Sequence, residues 1–221
     1  MAKRAMDWLV AAGMVLAVAA VAGRAEAGPQ LDFAVNKSTY VVSATDTVAT
    51  LMAAFNATPN LSGSCSKTVT SFNGVGPSTC GSATQDETTL MGASFNLASA
   101  GAWDFRIGPD WGRGGAVIVD GQLAKLVTGD WWWSGTWGNQ TIETDLKLAA
   151  GNHTVQWLGF EGCCSGSMDV QFQGGKAGAW TELTVANLTA ALPAGSAVPE
   201  PTSLALLGLG FVALRRTRRQ G

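Results

Sequence analysis

The stretch Trp103-Asp104-Phe105-Arg106-Ile107 alternates large apolar with charged side chains. In an extended chain successive side chains point to opposite faces. Trp103, Phe105 and Ile107 therefore line one face, and Asp104 and Arg106 the other. The period recurs downstream. Ala116-Val117-Ile118-Val119 runs into Asp120-Gly121, a hairpin signal, and Gln122 to Val127 resumes as a strand. Thr141 to Leu148 sets Ile142, Thr144, Leu146 and Leu148 against Glu143, Asp145 and Lys147. Gly151-Asn152 turns the chain into His153 to Phe160, and Ser167 to Phe172 alternates Met168, Val170 and Phe172. Strands at a spacing of about 8–12 residues with glycine turns predict an all-β fold, an antiparallel β-sandwich or barrel. Helical periodicity is weak; Thr45 to Phe55 fits a short helix or a strand equally well.

The two ends read differently. Lys3 and Arg4 precede an apolar run from Trp8 to Val21, and Ala25-Glu26-Ala27 places small residues where a signal peptidase reads. This is a secretory signal over residues 1–27, a helix cleaved after Ala27. At the far end Pro199-Glu200-Pro201 precedes the apolar stretch Leu204 to Leu214, and Arg215, Arg216, Arg218 and Arg219 follow. A helix of that stretch is too short to cross about 30 Å of hydrocarbon unaided, and snorkelling arginines narrow the gap. Arginines stay on the cytoplasmic side, so the tail pins the chain transiently in the inner membrane with its body outside. The expected organisation is a signal peptide (1–27), a β-sandwich domain (28–189), a Pro/Ala/Gly/Ser linker (190–198) and a tail (199–221).

Seven of the fourteen Lys and Arg residues lie in the two tails, which leaves a body of seven basic and thirteen acidic side chains, a net of −6. Such a surface repels phosphate backbones, so nucleic-acid binding is not expected. It suits divalent cations and neutral sugars.

The order Pro-Glu-Pro, apolar helix, basic cluster resembles the PEP-CTERM proteins. That resemblance implies processing by an exosortase in a Gram-negative bacterium that makes exopolysaccharide, with delivery to the cell surface or extracellular matrix. Gly162-Cys163-Cys164-Ser165-Gly166 resembles the CCXG subgroup of these proteins. The body, from Trp103 to Phe172, has a second resemblance. Its aromatic strand, Pro109-Asp110-Trp111-Gly112 loop, strand ending at Asp120-Gly121, Ala150-Gly151-Asn152-His153 and Phe160-Glu161-Gly162 are similar to the anthrax protective-antigen and flocculin domains. These are lectin-like sandwiches of jelly-roll type. In them neighbouring Asp residues of the acidic loop hold calcium, which holds sugar hydroxyls. Here the second of those positions is Trp111.

Candidate site residues follow. Asp110, Asp120 and Glu161 are expected to gather at one end of the sandwich as calcium ligands, the alternative being solvated turn carboxylates. Trp131, Trp132, Trp133 and Trp137 put four indoles into seven residues. A strand sends Trp132 to the face opposite Trp131 and Trp133, where its flat ring could stack on a pyranose, the alternative being that the sandwich or the N-terminal segment covers all four. Ligand contacts are thus expected from Asp110, Trp111, Asp120, Trp132 and Glu161. His153, at a strand start, is read as structural. Export makes disulfides of Cys65, Cys80, Cys163 and Cys164. Two long bridges from 163 and 164 to 65 and 80 are favoured over a Cys65–Cys80 bridge with a vicinal one. Zinc lacks Cys-x-x-Cys spacing and a second histidine. No catalytic motif context is present, so an enzyme is not expected; paired carboxylates such as Asp120 and Glu161 are the one route to glycoside hydrolysis. The leading expectation is a binding or adhesion module of the surface or exopolysaccharide matrix with glycan as ligand. The alternative is a structural matrix protein with no specific ligand.

Overall fold

The computed structural model describes residues 26–57, 64–81, 85–164, 166–174, 178–192 and 198–199. Glu200, Pro201, the four C-terminal arginines, the apolar tail and the signal segment before Glu26 lie outside the described residues. The elements in chain order are β1 (Glu26–Ala27), β2 (Gln30–Lys37), α1 (Val48–Asn56), β3 (Cys65–Val69), a 3-10 turn (Pro77–Cys80), β4 (Gln85–Leu97), β5 (Gly101–Gly108), β6 (Asp110–Trp111), β7 (Gly115–Val119), β8 (Gln122–Val127), β9 (Trp131–Trp132), β10 (Ile142–Leu148), β11 (Gly151–Cys163), β12 (Asp169–Gly174), β13 (Thr181–Glu182), α2 (Val185–Ala191) and β14 (Val198–Pro199). Ala27 and Pro199, at the two processing positions, fall in the short β1–β14 ladder.

A six-stranded sheet, β3-β2-β4-β11-β7-β8, faces a four-stranded one, β10-β5-β12-β13. Every ladder is antiparallel. The chain crosses between sheets from β4 to β5, β5 to β7, β8 to β10, β10 to β11 and β11 to β12. Its turns therefore collect at two ends. One end carries residues 98–100, the Asp120-Gly121 turn and residues 149–150. The other carries residues 109–114, 128–141, 163–164 and 166–168.

Alternation explains the core. Trp103, Phe105 and Ile107 meet Phe95, Val155 and Trp157 between the sheets, joined by Phe172 of β12. Phe105 lies 5.8 Å from Trp157 and 6.3 Å from Phe95, centroid to centroid. The larger sheet is covered on its other face too. Ala116, Ile118, Leu158 and Phe160 point outward onto Leu51 and Phe55 of α1. Those two stand four residues apart on one helix face. Thr47 caps α1 by accepting from the Thr50 amide, a contact worth about 1 kcal/mol. Burial on both faces is why residues 116–118 read as a continuous apolar run. At the β7–β8 turn Asp120 and Gly121 take φ of 49° and 76°, the left-handed pair that a two-residue hairpin needs.

Two expectations are corrected. The disulfide joins Cys65 to Cys80, with Cα atoms 5.8 Å apart, and Cys163 and Cys164 are exposed free thiols. The long bridges fail on strand order. Cys65 on β3 is separated from β11 by β2 and β4. Three ladder steps span about 14 Å, whereas a disulfide needs Cα atoms within about 7 Å. The folded domain also runs past residue 189. α2 continues through Ala191, with Leu188 buried and Leu192 packed on the core. Among the described residues no helix is long and apolar enough to cross a membrane.

Phe105 touches rings from both sheets, so Phe105→Ala should lower unfolding free energy by about 3–5 kcal/mol. Urea titration followed by tryptophan fluorescence measures this.

Candidate functional site

The end carrying residues 109–114 is built on a two-strand ladder. The Pro109 carbonyl accepts from the Trp133 amide at 2.9 Å, and β6 then pairs with β9. The register sets Asp110 opposite Trp132 and Trp111 opposite Trp131. Each pair shares a face. Trp111 turns inward and is 0% exposed. Its ring lies flat on two glycines: a Cβ at Gly159 would sit 1.8 Å from its Nε1, and one at Gly115 2.4 Å from its ring. Trp111 is therefore core, which corrects its expected ligand contact. Trp132 turns outward and is 61% exposed. Asp110 beside it is half-buried, and its Oδ2 accepts from the Gly166 amide. Burial raises the Asp110 carboxyl above its usual range, ahead of the opposing pull of that amide; the charges of Glu161 and Asp130 raise it further.

Glu161 is near this edge but fully engaged. One carboxylate oxygen accepts from the Gly112 amide at 2.5 Å, the other from the amides of Gly162 and Cys163 at 2.6 and 3.1 Å. Arg113 pairs with Asp86 at 2.7 Å and donates to the Ser38 and Glu161 carbonyls at 3.4 Å each. Glu161 and Arg113 thus pin the 109–114 loop.

Asp120 is at the opposite end. Its Oδ1 accepts from the Thr154 amide at 2.8 Å, and its Oδ2 meets His153 Nδ1 at 2.8 Å. The His153 Nε2 faces the Ala149 carbonyl at 2.9 Å. The imidazole ties the 120–121 turn to the 149–150 turn, a structural role as its strand-start position suggests. Glu161 follows His153 on β11 by eight residues, about 26 Å of strand. The expected gathering of Asp110, Asp120 and Glu161 as calcium ligands is therefore corrected: Glu161 is committed to three backbone amides, and Asp120 lies at the opposite end on the Thr154 amide and His153. Among the described residues no three His, Cys, Asp or Glu side chains are placed to share a metal ion.

The outer face of the smaller sheet holds a feature the sequence did not signal. Arg106 is clasped between Trp137 and Trp180, its guanidinium carbon 4.3 Å from each ring centroid. Its Nε donates to Gln171 Oε1 at 2.9 Å. Trp137 packs on Trp133 at 4.7 Å, and Trp133 covers Gly108, where a Cβ would lie 2.1 Å from the ring. The stack fastens the β9–β10 loop to the sheet. Two of the four clustered indoles, Trp133 and Trp137, are thereby structural, and Trp131 packs against the core.

A pocket of about 590 Å³ opens at the other end, beside Trp103, Phe172 and Ala191. Among the described residues no titratable side chain lines it. Of its polar side chains, Thr181 donates to the Ala179 carbonyl and Asn187 to that of Glu182.

The sandwich defines an all-β domain. The chain carries a PEP-CTERM protein-sorting motif, matched over residues 197–219. That motif indicates export and cell-surface sorting and implies processing by an exosortase. The body is similar in structure to a PA14 sugar-binding domain from an RTX adhesin, at 16% identity over 78% of this chain and 99% of that one, TM-score 0.43. It is similar also to the A domain of epithelial adhesin 9 from Candida glabrata, solved in complex with Galβ1-4GlcNAc, at 11% identity over 70% of this chain and 85% of that one, TM-score 0.43. A third is the PA14 domain of the MpAFP antifreeze protein, at 9% identity over 71% and 87% of the two chains, TM-score 0.44. No curated protein matches the sequence. At such identities the likeness is one of fold, and no residue of theirs is carried over.

Glu161 and Asp110 should separate on substitution. Glu161→Ala strands three amides and should cost about 2 kcal/mol or more, whereas Asp110→Ala should stay within about 1 kcal/mol of wild type. Chemical denaturation of the two variants measures the difference.

Proposed function

We propose that this protein is a non-catalytic carbohydrate-binding module of the cell surface or exopolysaccharide matrix. Its sugar rings stack on Trp132, and Asp110 accepts their hydroxyls. The observation that carries the reading is the exposure of Trp132 on a paired strand directly opposite Asp110. A bare indole face is apolar yet edged by an N–H, which suits the apolar face of a pyranose. The half-dry carboxylate next to it supplies acceptors that do not swing away, because the Gly166 amide holds it. The body charge of −6 directs the choice towards neutral glycans.

A binding module is favoured over a glycosidase by distance. Asp120 is held against His153, about 26 Å of strand from Glu161, whereas glycoside hydrolysis needs two carboxyls about 5–9.5 Å apart. Delivery follows the tail: in a Gram-negative host the apolar segment would hold the chain transiently in the inner membrane until an exosortase releases it near Pro199-Glu200-Pro201.

The test is binding of the exported, oxidised protein to a glycan array and to the host's own exopolysaccharide. Trp132→Ala should weaken saturable binding about tenfold or more, equivalent to about 1.4 kcal/mol. Asp110→Ala should weaken it similarly. Protonation removes the acceptor, and burial raises the Asp110 carboxyl, so binding should fall as pH drops, starting above the range of an ordinary aspartate. No binding by the wild type, or unchanged binding by Trp132→Ala, would sink the reading.

A further inference from the structure

β11 ends at Cys163, and the chain leaves the strand through Cys164, whose φ of +67° is the left-handed conformation. Both thiols are exposed. The adjacent Cys164 thiol is the main cause that pushes the Cys163 thiol up; the charges of Glu161 and Asp110 add to it. Two residues on, the Gly166 amide donates to Asp110. That approach is possible only because residue 166 has no side chain: a Cβ there would lie 2.8 Å from Asp110 Oδ2.

We propose that Cys163 and Cys164 are a dithiol modification site that closes to a vicinal disulfide on export, and that the ring so formed holds the loop whose Gly166 amide fixes Asp110. The second half rests on the glycan reading of Asp110 and Trp132.

Three observations support the closure. The sorting motif sends the chain to a compartment in which thiols are oxidised. Cys65 and Cys80 have already found each other and, by strand order, are out of reach of β11. Cys163 and Cys164 are then each other's nearest thiol, which raises their effective concentration above that of any second chain. The step is ordinary thiol–disulfide exchange with a protein oxidant carrying a reactive disulfide. One thiolate attacks the oxidant's disulfide, giving a mixed disulfide and releasing one oxidant thiol. The neighbouring thiolate attacks the bonded sulfur of this chain and expels the second. Two S–H groups become one S–S bond here, two electrons pass to the oxidant, and its disulfide becomes two thiols.

The ring removes the independent rotation of both cysteine side chains and stiffens the peptide between them. Gly166, two residues away, inherits a narrower range of positions, and the hydrogen bond to Asp110 opens less often.

The experiment uses the chain as exported and processed by its host. Free thiols are alkylated before unfolding, and the digest is weighed. The peptide spanning residues 163–164 should be unalkylated, not linked to another peptide, and lighter by two hydrogens; after reduction it should take two alkyl groups. Alkylation of both cysteines before reduction, or a cross-link to another chain, would overturn the closure. Hydrogen exchange at the Gly166 amide reads the loop without any ligand: it should be about tenfold slower in wild type than in Cys163→Ser/Cys164→Ser. Equal exchange would overturn the clamp. Glycan binding separates this proposal from the reading beneath it. A ring with slow exchange but no glycan bound by the wild type would leave the dithiol site standing and overturn the glycan reading alone. Wild-type binding matched by the double serine variant would overturn the ring's role alone.

Discussion

The ladder between β4 and β11 is the constraint on which the rest depends. It runs from Leu97 opposite Gly151 to Gln85 opposite Cys163, through the middle of the larger sheet. Every functional position is a distance along it. His153 near its start draws Asp120 to one end, and Glu161 near its finish holds the 109–114 loop at the other. Both strands bury side chains towards the smaller sheet, and β11 also buries Leu158 and Phe160 towards α1. A one-residue slip would exchange those two sets of side chains and unseat both covering layers. The register is thus held by packing on both sides, and the loops at each end inherit its precision.

Position 111 shows how packing decides chemistry. The ring of Trp111 fills the space above Gly115 and Gly159, and its Nε1 has no hydrogen-bond partner among the described residues. An orphaned buried donor costs about 1–3 kcal/mol, against about 25 cal/mol gained for each Å² of apolar surface buried. A large indole covers that cost with area alone. The residue is therefore committed to the core, and the neighbouring carboxylate has no acidic companion on the strand. Asp110 is left with one backbone amide and one exposed indole, a set suited to hydroxyls and ring faces.

Much of the fold was legible because β5, β10 and β12 alternate cleanly, and β7, β8 and β11 are runs set off by the Asp120-Gly121 and Gly151-Asn152 turns. β4 was not legible. Its first half, with Glu87, Thr88 and Thr89, is polar yet buried, and Glu87 is matched by Lys37 at 3.2 Å, a compensation that only the strand pairing supplies. β2 alternates Leu31, Phe33 and Val35 but gave no glycine-bounded turn to mark it. α2 is a seven-residue helix whose last two residues fall in the Pro/Ala/Gly/Ser stretch that reads as linker. Of the site, the outward placing of Trp132 against Trp131 followed from strand period alone. The separation of Asp120 from Asp110 did not, because it depends on which end each hairpin reaches. The clasp of Arg106 joins Trp137 to Trp180 across the sheet and leaves no local trace in the sequence.

The edges of the two sheets bear on the choice between a discrete binding module and a polymerising scaffold. An open edge strand is a template for pairing with another chain. β3 is covered by the 3-10 turn that the Cys65–Cys80 bridge fastens to it, and Lys67 donates to the Thr79 carbonyl at 2.7 Å. β8 and β10, at neighbouring edges of opposite sheets, are linked by Lys125 donating to the Glu143 carbonyl at 3.2 Å. β10 also presents Glu143, Asp145 and Lys147 outward. β13 is flanked by the 71–75 segment, where the Phe72 amide donates to the Leu183 carbonyl at 2.9 Å. Each edge is thus stapled, bridged, charged or flanked. A chain built to assemble through its sheets would leave at least one of them bare, so these edges favour a discrete module over strand-to-strand growth.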